Sequence, residues 1–434
     1  MKVLVISRGV VGRDMGSSGV RSYHIARVLA EQLPDAQVTL VVPNEPDIPS
    51  PHARMRIIRT AGVRDGLRAV REHDLIIGRD FPPYAFPLFP SKTFVLDFYA
   101  VLPVEWMAIS HRILHEPSRR VWTGYAQHYV NLQLTLADYV LCSTETQRDV
   151  WVGAMAALGL LTPGVYDRDP TLRRLIDVAP YGVRPDAPKH ARNVLKGVVP
   201  GIREDDKVLI WTGSIMEWFD TETVIRAMAK ISAVRDDVKL FFLGTEHPDL
   251  VTGMLLDPPR KAVALAQELG LHDRSVFFNV GWVPYNEIGS YLMEADLGVC
   301  AGFDNLEARV AFRTRYVDLF WADLPVVCTR GDELARRIDE AGAGAVVAPG
   351  DVDGYAAAVL GLLGDREGYE RARCASAGLK AQLTWERTLR PLLDFCRHGE
   401  SIAQAKGQRR PALAQRAAKY AWWYARQRRA LASA

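Results

Sequence analysis

Apolar positions along the chain follow two alternating patterns. Short continuous runs rich in β-branched residues read as buried strands, and longer stretches with apolar residues three or four apart read as helices. Lys2–Ile6 is a run of the first kind. Val20–Leu33 follows with Val20, Ile25, Val28 and Leu29 at helical spacing. Val38–Val42, Leu75–Ile77 and Thr93–Leu96 are further strands, Val121–Ala137 a helix and Tyr139–Cys142 a strand. The pattern restarts after a Pro-rich crossing from Ile176 to Pro188. Lys207–Trp211, Val238–Leu243, Val276–Asn279, Leu297–Cys300, Val326–Cys328 and Val346–Val347 read as strands. Thr221–Ile231, Tyr285–Glu294 and Val352–Leu363 read as helices. Such alternation predicts an α/β chain with parallel sheets. Two similar halves predict two Rossmann-like domains facing a central cleft, over residues 1–180 and 181–384. A late helix over 385–400 packs back on the first domain, and a basic helical tail occupies 401–434. Ligands of such sheets lie beyond the carboxyl ends of the strands.

Composition narrows the class. The 434 residues are 48% hydrophobic and 24% charged, which excludes collagenous, disordered and disulfide-scaffold chains. No apolar run reaches the ~18 residues of a membrane span. The opening MKVLVISRGVV is too short in apolar residues for a signal peptide and reads as the first strand. Cys142, Cys300, Cys328, Cys374 and Cys396 are scattered and odd in number, as in a reduced cytoplasmic protein without a zinc site. Charge is uneven. Residues 401–434 carry +8 with no acid, leaving 46 basic and 51 acidic residues elsewhere, a charge of −5.

Two loops carry candidate chemistry. Gly9 to Gly19 (GVVGRDMGSSG) follows the first strand, and Gly16, Ser17, Ser18 and Gly19 let a ligand approach backbone at a helix N-terminus. The glycine spacing fits neither a P-loop nor GxGxxG. A plain strand–helix turn fits the loop equally well. The second segment is Asp304 to Glu333, with Arg309, Arg313 and Arg315 beside Glu307 and Asp318. Phe312-Arg313-Thr314 opens a helix running to Trp321, and Asp318 lies one turn in. Arginines at a helix N-terminus suit a diphosphate, and the carboxylate suits sugar hydroxyls. A surface helix with mixed ion pairs is the competing reading.

Asp323-Leu324-Pro325-Val326-Val327, closing this helix, resembles the Gly-Leu-Pro-Val-Val ending of the retaining GT-B glycosyltransferases, family 4 (group 1) type. The resemblance puts Asp318 on the second Glu of a Glu-x7-Glu signature, which binds the donor's ribose, and Phe312 on the Phe of Phe-Gly-Leu. The first Glu falls on Val310, so Glu307 replaces it only through a shifted loop. APYGVRP at 179–185 resembles the family's linker turn. FFLGTEHP at 241–248, with Gly244, resembles its Gly-ended strand near the nucleotide. FFNVGWVPYNEIGSYLMEADLGV at 277–299 resembles the base-binding segment, with Val280, Gly281, Trp282 and Val283 offering backbone groups. The resemblance spans about residues 1–400 and is stronger in the second half.

One departure bears on the chemistry. The family's Gly-Arg-x4-Lys-Gly becomes GSIMEWFD at 213–220, so Gly213 is kept while Ser214 and Phe219 replace the two cations. A diphosphate buried without cations is costly. Arg313, with Arg309 or Arg315, is therefore expected to supply the charge and to act in catalysis, and Trp218 or Asp220 to reach the sugar. Asp97, in FVLDFYA, stands where the family often has His. It is expected to accept the acceptor's proton or hold a sugar hydroxyl, against a strand-end capping role. A subset of bacterial polysaccharide transferases resembles this chain at Asp97 and in the FRTR and TRGDE segments.

The resemblance implies a retaining transferase that moves a sugar from a nucleotide-sugar donor to a glycan or lipid-linked glycan hydroxyl. The first domain would hold the acceptor and the second the donor. No cofactor and no metal are implied, since Asp205-Asp206 and Asp236-Asp237 precede strands rather than follow them. Two alternatives stay open: a GT-B epimerase or phosphorylase, and a non-catalytic sugar- or nucleic-acid-binding protein. Ala412–Leu431 is rich in helix formers, with Leu413, Ala417, Tyr420, Ala421 and Tyr424 near one face and Trp422 and Trp423 to its sides. Basic and aromatic residues so arranged suit an anionic membrane surface, giving a cytoplasmic protein peripheral on the inner face. Nucleic acid is the less favoured partner, and a solvated tail is the bland reading.

Overall fold

The computed structural model describes residues 1–60, 62–79, 81, 89, 91–110, 115–245 and 257–397. In the tail it describes Ala418, Ala421, Trp422, Tyr424, Ala425, Arg426 and Arg429. The chain forms two units, one of Met1–Gly12, Ser17–Pro180 and Thr388 onward, the other of Arg13–Gly16 with Tyr181–Arg387.

Among the described residues the first unit carries seven strands: β1 Lys2–Ile6, β2 Gln37–Val42, β3 Met55–Arg59, β4 Leu75–Gly78, β5 Thr93–Asp97, β6 Tyr139–Cys142 and β7 Ile176–Val178. All pair in parallel, in the order β3-β2-β1-β4-β5-β6-β7. The central strands are buried along their whole length because helices such as Ser17–Gln32 and Glu116–Leu136 cover the sheet. Strand β3 does not show in the apolar pattern. As an edge strand its sequence MRIIR is only partly buried, so it lacks a continuous apolar run. Strand β7 occupies the start of the Pro-rich crossing and closes the other edge. The late helix is two pieces, Trp385–Thr388 and Arg390–Arg397. Phe395 in the latter stacks on Tyr139 of β6, centroids 4.3 Å apart.

The second unit carries β8 Lys207–Trp211, β9 Val238–Phe242, β10 Val276–Phe278, β11 Leu297–Cys300, β12 Val326–Thr329 and β13 Gly344–Val347. The order is β10-β9-β8-β11-β12-β13, again all parallel. Strand order reverses between β8 and β11, so the loops after these two strands diverge and leave a crevice. Gly298 of β11 lets the helix Thr314–Trp321 lie close. A Cβ there would sit 2.4 Å from Leu319 Cδ1, a clash that only glycine avoids.

Glu294 ends the helix Ile288–Glu294 and ties the segment before β8 to it. Its Oε1 accepts from Val194 N, and its Oε2 from Leu195 N and Lys196 N, each at 2.8 Å. Burial alone would raise its pKa, but bonds from His190 and the three amides outweigh that and hold it below the usual 4.5. We expect Glu294→Ala, which orphans three amides, to destabilise the protein by about 3 kcal/mol or more in urea titrations. A depressed native pKa means this contribution is complete above pH ~4.5 and fades as pH falls through the native value. The gap between the two proteins should therefore shrink in acid.

Candidate functional site

The crevice at β8 and β11 is lined by residues from three loops and one helix. The loop after β8 leaves the sheet through Gly213, whose φ of +68° is open to glycine at little cost. Ser214 follows, and Asp220 caps the next helix, Thr221–Val234, by accepting from Thr223 N at 3.0 Å and from Thr223 Oγ1. Asp220 is buried by this role. Its expected reach toward a sugar is corrected accordingly, because both carboxylate oxygens are engaged. Trp218 is half-buried, its ring 6.2 Å from that of Phe219.

The loop after β11 brings in the arginines. Arg313 donates from Nη1 to Glu307 Oε1 at 2.8 Å and from Nη2 to Glu307 Oε2 at 2.5 Å, with both residues buried. Burial opposes the charge on Arg313, but the attraction of Glu307 and Asp332 holds its pKa above normal. The expectation that Arg313 is the available cation, and that Glu307 faces a ligand, is thus corrected. These two groups neutralise each other. Phe312 is also buried, and Thr314 begins the helix Thr314–Trp321. That helix has no side-chain cap and no acid in its first turn.

Arg315 differs from Arg313. Its guanidinium lies over the ring of Phe219 at 3.6 Å and that of Trp211 at 4.6 Å, and Nη2 donates to Ser214 O at 2.9 Å. No carboxylate among the described residues pairs with it, and the buried Nη1 has no partner. Burial pulls its pKa down to about 10, so it stays charged at neutral pH. An unpaired cation in an apolar wall is costly unless an anion completes it.

Farther round the crevice, Gly244 follows β9, and a Cβ on it would lie 3.3 Å from the ring of Trp282. Thr245 N donates to Gly281 O, and Gly281 N to Thr245 Oγ1, both at 3.3 Å. Val280 is exposed, and the side chain of Val283 is core. Asp318 is partly exposed and accepts from Arg184 Nε at 3.2 Å. Residues 246–248 of the FFLGTEHP segment lie outside the described residues.

In the first unit, Ser17, Ser18 and Gly19 form the first turn of the helix Ser17–Gln32, and Gly16, just before it in sequence, belongs to the second unit. Asn44 pins the preceding loop, exchanging bonds with Val11 N and Val11 O at 3.1 and 3.0 Å. Asp97 is buried, and Arg21 grips both its oxygens at 2.7 Å. The expected proton-accepting or hydroxyl-binding role of Asp97 is therefore corrected to a buried ion-pair role. Ser18, Arg79, Asp97 and Tyr99 line a small pocket beside β1 and β4.

Most of the tail expectation, including Leu413, Ala417, Tyr420 and Trp423, lies outside the described residues. The described tail residues are helical, with Trp422 and Tyr424 exposed and Arg426 over the Trp422 ring. No helix among the described residues is long and apolar enough to cross a membrane.

Comparison with known proteins agrees with this architecture. The fold is GT-B. Sucrose-phosphate synthase from Thermosynechococcus elongatus matches over 93% of this chain and 100% of its own, at 16% identity and a TM-score of 0.65. Anabaena HepE in complex with UDP-glucose matches over 93% and 100%, at 13% identity and a TM-score of 0.59. Residues 206–365, the heart of the second unit, match the family model of Glycosyl transferases group 1. A D-inositol 3-phosphate glycosyltransferase of Mycobacterium marinum is 28% identical over 225 residues, 50% of this chain and 44% of that protein. The match thus spans less than half the length of that curated relative.

Asp332 supplies a pH signature of the site. It caps the helix Glu333–Ala341, accepting from Leu334 N and Ala335 N at 2.9 Å. Burial pushes its carboxyl up to about 6 against the opposing pull of Arg313 and those amides. The native state then holds a proton that the unfolded chain has lost between pH ~4 and ~6. Its contribution to stability should fall as pH rises through that window, by about 3 kcal/mol, and level off above it. Asp332→Asn keeps a capping oxygen and should flatten that slope in urea midpoints measured across pH.

Proposed function

We propose that the chain is a retaining glycosyltransferase whose second unit binds a nucleotide-sugar in the β8/β11 crevice. The observation that carries this reading is Arg315. Its guanidinium touches the carbonyl of Ser214 and the ring of Phe219, the two positions where similar proteins place their cations. The charge lost from the loop is thus restored from the helix beneath it. Arg315 and the uncapped N-terminus of Thr314–Trp321 would face the diphosphate. The Asp318 carboxylate would accept from the ribose hydroxyls, and backbone groups of Val280–Val283 would meet the base. Names of relatives and neighbours support the donor class, since one is a glycosyltransferase and another was solved with UDP-glucose.

In this reading the sugar–phosphate bond breaks with charge building on the leaving diphosphate. A fixed cation and helix amides stabilise that charge where it develops. The departing phosphate takes the proton of the incoming hydroxyl on the same face, consistent with Asp97 being engaged by Arg21. The acceptor is a glycan or lipid-linked glycan, and the protein works in the cytoplasm without a metal. The +8 tail holds it to an anionic membrane face.

Arg315→Gln should weaken nucleoside-diphosphate binding by about 10- to 100-fold in calorimetry, the scale of a charged hydrogen bond. EDTA should leave wild-type turnover unchanged. Inhibition by EDTA that Mg²⁺ or Mn²⁺ reverses would assign the phosphate charge to a metal. An unaltered affinity in Arg315→Gln would remove the basis of the reading.

For the tail, each basic residue near anionic lipid contributes about 1 kcal/mol, screened over a Debye length of roughly 8 Å. The full chain should float with anionic vesicles at low salt, and a chain ending at Glu400 should stay in solution. Equal flotation of the two would refute the membrane role.

A further inference from the structure

Arg184 lies in the segment APYGVRP, whose resemblance to a linker turn assigns no role to the arginine. Its side chain is only 10% exposed. The guanidinium lies over the ring of Tyr285 at 3.7 Å and that of Trp321 at 4.9 Å. Nη1 donates to Tyr285 O at 2.5 Å, and Nε donates to Asp318 Oδ1 at 3.2 Å. Trp321 is fixed in turn, its Nε1 donating to Asp186 O at 2.5 Å. The arginine is therefore held by two aromatic faces and a carbonyl before it meets Asp318.

Asp318 is less constrained. Its side chain is 31% exposed, and Oδ2 has no hydrogen-bond partner among the described residues. A short carboxylate gripped through one oxygen presents the other in a fixed direction. An ungripped aspartate would sample several rotamers and lose that direction on average. Aspartate is one methylene shorter than the glutamate of similar proteins, so its aim matters more.

We propose that Arg184 is a positioning residue that orients the Asp318 carboxylate toward the hydroxyls of the donor's ribose. The inference rests on the functional reading above, in which Asp318 meets the ribose. It adds that the grip is set by a residue that itself need not touch the donor. A planar fork with two separated donors is what the geometry uses, so lysine is no substitute.

The test compares UDP, GDP and ADP with their 2′,3′-dideoxy counterparts, on the full chain, by calorimetry. The wild type should prefer the best ribonucleotide to its dideoxy form by about tenfold. Asp318→Asn should lose that preference. Arg184→Gln should lose at least fivefold of it while binding the dideoxy form within twofold of wild type. Arg184→Lys keeps the charge, guards against a folding failure of the glutamine variant, and should show the same loss. If both Arg184 variants keep the wild-type preference while Asp318→Asn loses it, the positioning role is overturned and the ribose role of Asp318 stands. If both Arg184 variants weaken the two ligands equally, the residue is merely structural and the proposal fails. If the wild type has no preference for ribose, or binds none of these ligands, the functional reading itself falls and the inference with it.

Discussion

A guanidinium held in an apolar wall without a carboxylate is the constraint around which the second unit is arranged. Among the described residues four arginines are buried: Arg21, Arg27, Arg313 and Arg315. Arg21 has Asp97, Arg27 has Glu31, and Arg313 has Glu307. Arg315 has aromatic faces and one carbonyl. Cation–π contact and a single neutral acceptor offset only part of the desolvation cost, which is why its pKa falls to about 10. The remaining cost is what an anionic ligand at the crevice would relieve. The close approach of the helix at Gly298 and the open turn at Gly213 make that placement sterically feasible.

The fold was legible because a parallel sheet buries both faces of its strands. Runs such as FVL in β5 and VVC in β12 are apolar without alternation and stand out from their flanks. The same logic explains the omissions. MRIIR in β3 sits on an edge, and IDV in β7 is three residues long, so neither accumulates enough apolar signal. The single late helix was overread because TWERTLRPLLDFCRHG has helical spacing throughout, while its break at Leu389 precedes Arg390-Pro391. Proline lacks the N–H that a continuous helix needs and is tolerated in a first turn, which is where Pro391 sits in Arg390–Arg397.

For the candidate site, the placement of segments was legible and the pairing of side chains was not. The Asp304–Glu333 stretch was correctly located after β11, and the helix begins at Thr314, next to the expected opening at Phe312. Which arginine is neutralised depends on the loop between Glu307 and Arg313, whose short turn of helix at Leu306–Val310 swings the glutamate inward. Composition and spacing hold no record of that swing, because an i,i+6 pair lies on no common helix face. Asp97 and Asp220 were misread for a related reason. A carboxylate at a strand end looks alike whether it faces a ligand, pairs with a buried arginine, or caps the next helix. Only the partners Arg21 and Thr223 decide, and Arg21 lies far off in sequence.

Placing a cation on a helix rather than on a loop changes its character. A cation on a strand-to-helix loop can follow its ligand, and it must be ordered each time one binds. Arg315 is placed in advance, because its backbone is helical, its carbonyl accepts from Thr212 Oγ1 at 3.3 Å, and its head group is wedged against Trp211 and Phe219. A charge that develops beside a group already oriented is stabilised without reorganisation, which is where electrostatic catalysis gains most. The disadvantage is a permanent desolvation penalty in the empty site. Arg184 is held in the same way, its partly buried guanidinium fixed by rings and a carbonyl before it meets the Asp318 carboxylate. Both arginines are thus immobilised from behind by aromatic rings and a carbonyl, so their head groups are oriented in advance.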